Sequence, residues 1–326
     1  MVPLLLSALL ALGSTVPAVA RESPSTGDRW SPIDPTTILS QAAVTPDPLL
    51  PAGTFRTASY SIRTLPWDRL PFNGLSLMRL VPLSNSDEDG IAWKVVNGRN
   101  YYHPGNIADE GIRYVDSYVR TGNPAYLDFA KVRADKLREL GITRNGALFI
   151  PYGFDYPSER LRAPWYSAYS QGFALSLFVR LYRVTGDPQY LKGAQALFRS
   201  FRQLGPGTNP WVAYVLRGEL WFELYPSSRP THVMNGFNFA VLALWDYERL
   251  TRDPAATQLL QGALSTIRRN AGRYRVPGEV SLYDLVHRTQ HRHYHNIVIW
   301  QLRDLSVISR DPYFGGLANV LEADGS

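Results

Sequence analysis

From Asn106 onward, apolar residues recur at helical spacing in a series of paired runs. Ile107, Ile112, Val115, Tyr118 and Val119 line one face of the first run. Phe129, Val132, Leu137 and Leu140 line one face of the second. The run over 166–184 differs, because Phe173, Ala174, Leu177, Phe178 and Leu181 make it apolar nearly all round. That is the pattern of a helix buried on both sides. An amphipathic run follows Pro188 through Phe201, and the pairing recurs at 233–250 with 254–267 and at 295–308 with 312–321. The same punctuation separates the members of each pair: Thr121-Gly122-Asn123-Pro124, Thr185-Gly186-Asp187-Pro188, Thr251-Arg252-Asp253-Pro254 and Ser309-Arg310-Asp311-Pro312. Asn and Asp cap helix N-termini, and Pro suits the first helical position because its missing N–H has no intrahelical partner there. Each copy therefore closes one helix and opens the next. The pattern predicts a mainly α chain of four helical hairpins, an (α/α) toroid over 97–326 with the all-round apolar helices inside.

The pattern changes toward the N-terminus. Residues 1–20 carry no charge, Leu4 to Leu12 are apolar, and Ala18-Val19-Ala20 supplies small residues at a cleavage position. This predicts a secretory signal peptide, hence a secreted or extracytoplasmic protein. Residues 21–55, rich in Pro, Ser and Thr, read as an extended linker, and 56–96 as a small irregular or β-containing collar. Within the collar, Asn85-Ser86-Asp87-Glu88-Asp89-Gly90 resembles the start of a calcium loop, but Val96 stands where the bidentate Glu belongs. A solvated acidic turn is the expectation.

Composition narrows the partner. Apolar residues make up 45% of the 326, enough for a sizeable core. The net charge is +6, and lysine occurs only at Lys94, Lys131, Lys136 and Lys192, so the excess is arginine. Guanidinium groups grip carboxylate, sulfate or phosphate with paired hydrogen bonds, although biased genome composition explains the excess equally well. No nucleic-acid-binding motif is visible. The chain has no Cys, and beyond the signal segment no apolar stretch is long enough to span a bilayer. Nothing in the pattern calls for a cofactor or a metal.

Chemistry-bearing residues concentrate in the loops before the predicted inner helices. The last of these holds Tyr283, Asp284, His287, Arg288, His291, Arg292, His293, Tyr294 and His295, including four of the six histidines. Three readings compete here. His291 and His295 have metal-ligand spacing but lack accompanying Cys or Glu-His ligands. All of them could instead be packing residues. The third reading is an acid/base site for a carboxylated sugar, with tyrosine active once an Arg or protonated His stabilises its phenolate. In the middle loop, Glu223 lies among Trp221, Phe222 and Tyr225, where desolvation would make it a base and an Arg partner would make it structural. Asn235 offers an amide at a helix start. Trp165, Tyr169 and Gln171 offer aromatic faces and an amide suited to sugar rings, or to core packing.

Read in order, Trp165-Tyr166-Ser167-Ala168-Tyr169-Ser170-Gln171-Gly172, the run from Trp221 to Pro226, Asn235-Gly236-Phe237, Tyr283-Asp284-Leu285 and Tyr294-His295 resemble the C-terminal domain of D-glucuronyl C5-epimerases. The resemblance extends from about Tyr101 to Leu321. It implies conversion of D-glucuronate to L-iduronate within an acidic polysaccharide by C5 proton abstraction and reprotonation, and a homodimer as one arrangement. It further implies acid/base roles for Tyr294 and for a Glu in a Glu-Glu-Tyr-Pro run, supported by Tyr283. Here Tyr225, Tyr283, Tyr294 and His287 match, but the second Glu of the run is Leu224 and the Arg after Tyr-Asp-Leu is Val286. Glu223 is then the remaining candidate carboxylate, with Arg288 or Arg292 as partner for the substrate's carboxylate. A polysaccharide lyase using the same abstraction, or a non-catalytic carbohydrate-binding relative, are the alternatives.

Overall fold

Among the described residues, eight α-helices pair into four antiparallel hairpins: α1 (Pro104–Thr121) with α2 (Pro124–Leu140), α3 (Ala168–Thr185) with α4 (Pro188–Ser200), α5 (Met234–Thr251) with α6 (Pro254–Asn270), and α7 (Arg292–Ser309) with α8 (Pro312–Asp324). The computed structural model describes residues 46–81, 85–207 and 209–326. Residues 1–20, expected to be a signal peptide, and residues 21–45 of the expected linker lie outside the described residues. Helices α1, α3, α5 and α7 pack side by side as an inner arc, and their partners lie outside it. The chain is an (α/α) toroid, and its two most enclosed helices, α3 and α5, are the ones whose sequence is apolar nearly all round.

The four punctuation motifs build four near-identical corners. Asn123, Asp187, Asp253 and Asp311 each accept a hydrogen bond from the backbone N–H two residues on, at 3.0, 2.9, 2.8 and 2.9 Å. The residue before each cap, Gly122, Gly186, Arg252 or Arg310, is left-handed, with φ of 71°, 68°, 54° and 56°. The hydroxyl before that donates back to a carbonyl of its own helix and accepts from the cap's N–H. Replacing Asp253 by Ala is expected to cost about 1 kcal/mol of unfolding free energy, read by urea denaturation. A loss below a few tenths would show that the corner does not depend on its cap.

Among the described residues there are three short β-hairpins: β1 (Lys94–Val96) with β2 (Arg99–Tyr101) ahead of the first helix, and β3 (Ile142–Arg144) with β4 (Ala147–Phe149) and β6 (Ala213–Leu216) with β7 (Glu219–Phe222) between successive helical pairs. β5 (Leu204–Gly205) adds to β6 in parallel. Each hairpin turns on two residues of positive φ, Asn97-Gly98, Asn145-Gly146 and Arg217-Gly218, the geometry that matches strand twist.

Residues 46–66 run as an extended strap across the outer helices. Gln258 and Gln261 on α6 clamp it, each amide donating to and accepting from one strap residue, Leu50 and Tyr60 respectively. Phe55 is buried over Gly262, where a side chain would collide with its ring. The chain then enters the arc. Phe72 sits against Phe173, Phe239 and Trp300, one ring from each of α3, α5 and α7, at centroid distances of 4.9, 5.8 and 6.3 Å. Beside it, fully buried Arg180 donates to Asp246 Oδ2 from Nε (3.1 Å) and Nη2 (2.9 Å), to the Pro71 carbonyl and to Asn73. The collar thus fills the axis of the arc from the end opposite the loops that precede the inner helices.

Candidate active site

Three loops meet over the N-terminal ends of α3, α5 and α7. The first, between β4 and α3, is folded back on itself by paired hydrogen bonds between Tyr152 and Trp165 and between Tyr156 and Leu161. Its tip is a single 3₁₀ turn, Pro157–Glu159, closed by left-handed Arg160. The rings of Tyr152 and Trp165 stack at 4.0 Å, and the Trp165 indole N–H donates to the Phe154 carbonyl at 2.7 Å. This loop is stiffened by its own aromatics.

The third loop is organised by Asp284. Its Oδ1 accepts from the backbone N–H groups of Val286, His287 and Arg288, and its Oδ2 from the Thr289 hydroxyl. With the backbone bonds Tyr283 N–H to Thr289 O and Met234 N–H to Tyr283 O, this cage fixes Tyr283 over the start of α5. Helix α7 begins at Arg292, earlier than the apolar periodicity indicates, because His291 caps it through Nδ1.

The loops bring three phenols together. Tyr225 Oη lies 3.3 Å from Tyr283 Oη, and the Tyr283 and Tyr294 rings are 4.7 Å apart. Tyr156 and Trp165 flank Tyr225 at 5.3 and 6.3 Å, and His291 and His293 flank Tyr294 at 4.9 and 5.4 Å. Tyr169, on the first turn of α3, is close enough to feel the charge of Tyr283 and Tyr294. Burial, then neighbouring phenols, push Tyr225 and Tyr283 well above the usual tyrosine pKa, and burial followed by Tyr156 raises Tyr294. The expected cationic stabilisation of a phenolate does not appear among these influences on Tyr294. At neutral pH these hydroxyls rest protonated, the state from which a group can give a proton.

The other residues singled out from sequence divide sharply. His287 stands at the mouth of the cluster with its side chain 46% exposed, and Arg288 is exposed beside it. Glu223 points away into the wall: it is 0% exposed and accepts from His232 Nδ1 at 2.8 Å and His232 N–H at 3.2 Å. Gln171 spends its amide on the Ile150 N–H, the Leu148 carbonyl and the Ser200 hydroxyl. His295 accepts from the Ser281 N–H at 2.9 Å, and Arg292 is tied to the Gly325 carbonyl. Asn235 is buried, its carbonyl taken by Gln301 and its side-chain oxygen without a hydrogen-bond partner.

Residues 144–322 match the family described as D-glucuronyl C5-epimerase C-terminus. The chain belongs to that family. It is 29% identical over 203 residues to an uncharacterized protein of Methanocaldococcus jannaschii, covering 60% of this chain and 64% of that protein. It is 28% identical over 107 residues to a D-glucuronyl C5-epimerase of Caenorhabditis elegans, covering 32% of this chain and 17% of the nematode protein. The chain thus spans under two thirds of either relative. Among solved structures, cellobiose 2-epimerase from Bacillus thermoamylovorans aligns with a TM-score of 0.55 at 13% identity, over 73% of this chain and 64% of that one. That from Spirochaeta thermophila aligns at 0.51 and 13%, over 68% and 58%. At such identities the likeness is one of fold, and it agrees with the (α/α) toroid. Membership makes this an epimerase-like protein of a carbohydrate-processing family.

For a C5-epimerase relative, the residue that sequence reading passes over is Glu159. Its Oε1 lies 3.9 Å from His287 Nδ1, and its Oε2 is shielded from solvent without a hydrogen-bond partner. Burial pushes its carboxyl up to about 7, with Asp284 and Glu223 adding to the rise and His287 opposing it. The signal was present: a carboxylate among Tyr152, Phe154, Tyr156 and Trp165 meets the same desolvation criterion that singles out Glu223.

Proposed function

We propose that this protein is a uronate C5-epimerase that converts D-glucuronate to L-iduronate within an acidic polysaccharide outside the cytoplasm. The observation that carries the reading is the meeting of Tyr225, Tyr283 and Tyr294 from two loops and the first turn of α7, the three tyrosines singled out by the sequence resemblance. Inversion at C5 needs one group to take the proton and another to return one from the opposite face. Phenols held protonated by burial suit the second task. Partly exposed Tyr156, backed by buried Trp165, gives a flat apolar surface for a sugar ring, and exposed Arg288 offers a guanidinium for the carboxylate. Leu224 in place of the motif Glu, with Glu223 locked to His232, favours a second reading, a carbohydrate-binding relative without turnover.

Incubation with a panel of uronate polymers in deuterated water separates the readings. An epimerase places deuterium at C5 and accumulates L-iduronate. A lyase yields an unsaturated uronate that absorbs in the ultraviolet. Binding of a polymer with no label at C5 would replace the epimerase reading with the non-catalytic one.

A further inference from the structure

We propose that Glu159, on the tip of the 152–165 hairpin, supplies the carboxylate proton carrier that the family motif would place at position 224. The assignment rests on the epimerase reading. Two other carboxylate positions are closed to substrate. Leu224 is 3% exposed and packs against the first turn of α5, where a β-carbon on Gly236 would come within 2.7 Å of its own. Position 224 is therefore part of the helix packing. Glu223 has one carboxylate oxygen on the His232 ring and the other on its backbone N–H, and lies wholly inside the wall.

Glu159 has the opposite character. It sits on a tip stiffened by ring stacking below it, so its position is held without its own carboxylate taking part. One oxygen is dehydrated yet accepts nothing, an arrangement that costs free energy until a donor arrives. Tyr156, three residues before Glu159, lies 5.3 Å from Tyr225, and His287 of the third loop lies 3.9 Å from Glu159 Oε1, so the tip stands beside the phenol cluster. The charged groups that act on Glu159 are His287, 3.9 Å away, and Asp284 from the third loop, with Glu223 acting from inside the wall. A carboxyl titrating near neutrality is matched to proton abstraction at physiological pH.

The step balances without a further reactant. The C5–H bond breaks, its proton goes to the Glu159 carboxylate, and its electron pair moves into the adjoining uronate carboxylate. The Tyr294 hydroxyl then gives its proton to C5 from the other face. Water reprotonates the phenolate and accepts the proton from Glu159, so nothing is oxidised or reduced. In the reverse direction the two groups exchange tasks.

The test compares wild type, Glu159→Gln and Glu159→Asp for C5 deuterium uptake at saturating polymer and for polymer affinity by calorimetry. Glu159→Gln is expected to lose about 100-fold or more in uptake with affinity changed less than about threefold. Glu159→Asp, which keeps the charge but withdraws it by one methylene, is expected to lose about 10-fold or more. Uptake within threefold of wild type in whichever variant folds, or a loss confined to affinity, would overturn the assignment and leave the epimerase reading standing. No label with wild type would remove both.

Discussion

Tyr294→Phe is expected to lower C5 deuterium uptake by about 10²–10⁴-fold while leaving the melting temperature nearly unchanged. The ring of Tyr294 packs against Tyr283, His291 and His293, and phenylalanine keeps all of those contacts. Only the hydroxyl is lost. Burial holds that hydroxyl protonated, so it is the proton source that phenylalanine cannot replace. Tyr225→Phe makes the contrast, since Tyr225 shares a 3.3 Å contact with Tyr283 and acts through it. Its loss is expected to be smaller, on the order of 10-fold. Uptake by Tyr294→Phe above one third of the wild-type rate would show that Tyr294 packs the site and carries no proton. The measurement is isotope incorporation at saturating polymer, which separates a chemical defect from weaker binding.

Local signals made the helices legible. Each corner motif is complete within four residues, because hydroxyl, left-handed residue, cap and proline act on the same few backbone groups. Burial on both sides was equally readable from the all-round apolar runs of α3 and α5. The β-hairpins were less so, although Asn97-Gly98 and Asn145-Gly146 carry the turn signal, since their strands are only three residues long and show little alternation. Arg217 takes a left-handed turn position for which its side chain gives no cue.

The site was legible only in part, for a physical reason. Gln171, His295 and Glu223 have side chains that suit a sugar ligand, yet the fold uses them on buried donors and acceptors that would otherwise go unpaired. Whether a polar residue near a helix start serves the backbone or a ligand depends on partners far away in the chain. His232, which holds Glu223, is in left-handed conformation at φ 57°, and nothing in Thr231-His232-Val233 announces that. Glu159 and Tyr283 are likewise brought near each other only by the stacking of the first loop and the Asp284 cage of the third.

Asp246→Ala is expected to destabilise the protein by about 3–5 kcal/mol, the cost of leaving a buried charge without its partner. Arg180 and Asp246 are both fully enclosed, and the guanidinium also donates to Pro71 and Asn73, so the pair ties α3, α5 and the collar into one unit. Ser176 donates to the same Asp246 oxygen at 2.9 Å, and loses that acceptor too. A double variant, Arg180→Met with Asp246→Leu, removes both charges together and is expected to recover most of the loss, because the penalty lies in the unpaired ion rather than in the missing attraction. Urea denaturation of the three proteins gives the comparison, and a cost below about 1 kcal/mol for the single variant would show that solvent reaches Arg180. The consequence reaches the site. The clamp seats Phe72 between Phe173, Phe239 and Trp300, and Tyr169 rests on Phe173 and Phe239 at 4.8 and 5.5 Å. Loosening the collar therefore removes support beneath a ring that faces the phenol cluster, so activity in the single variant is expected to fall at temperatures below its unfolding transition.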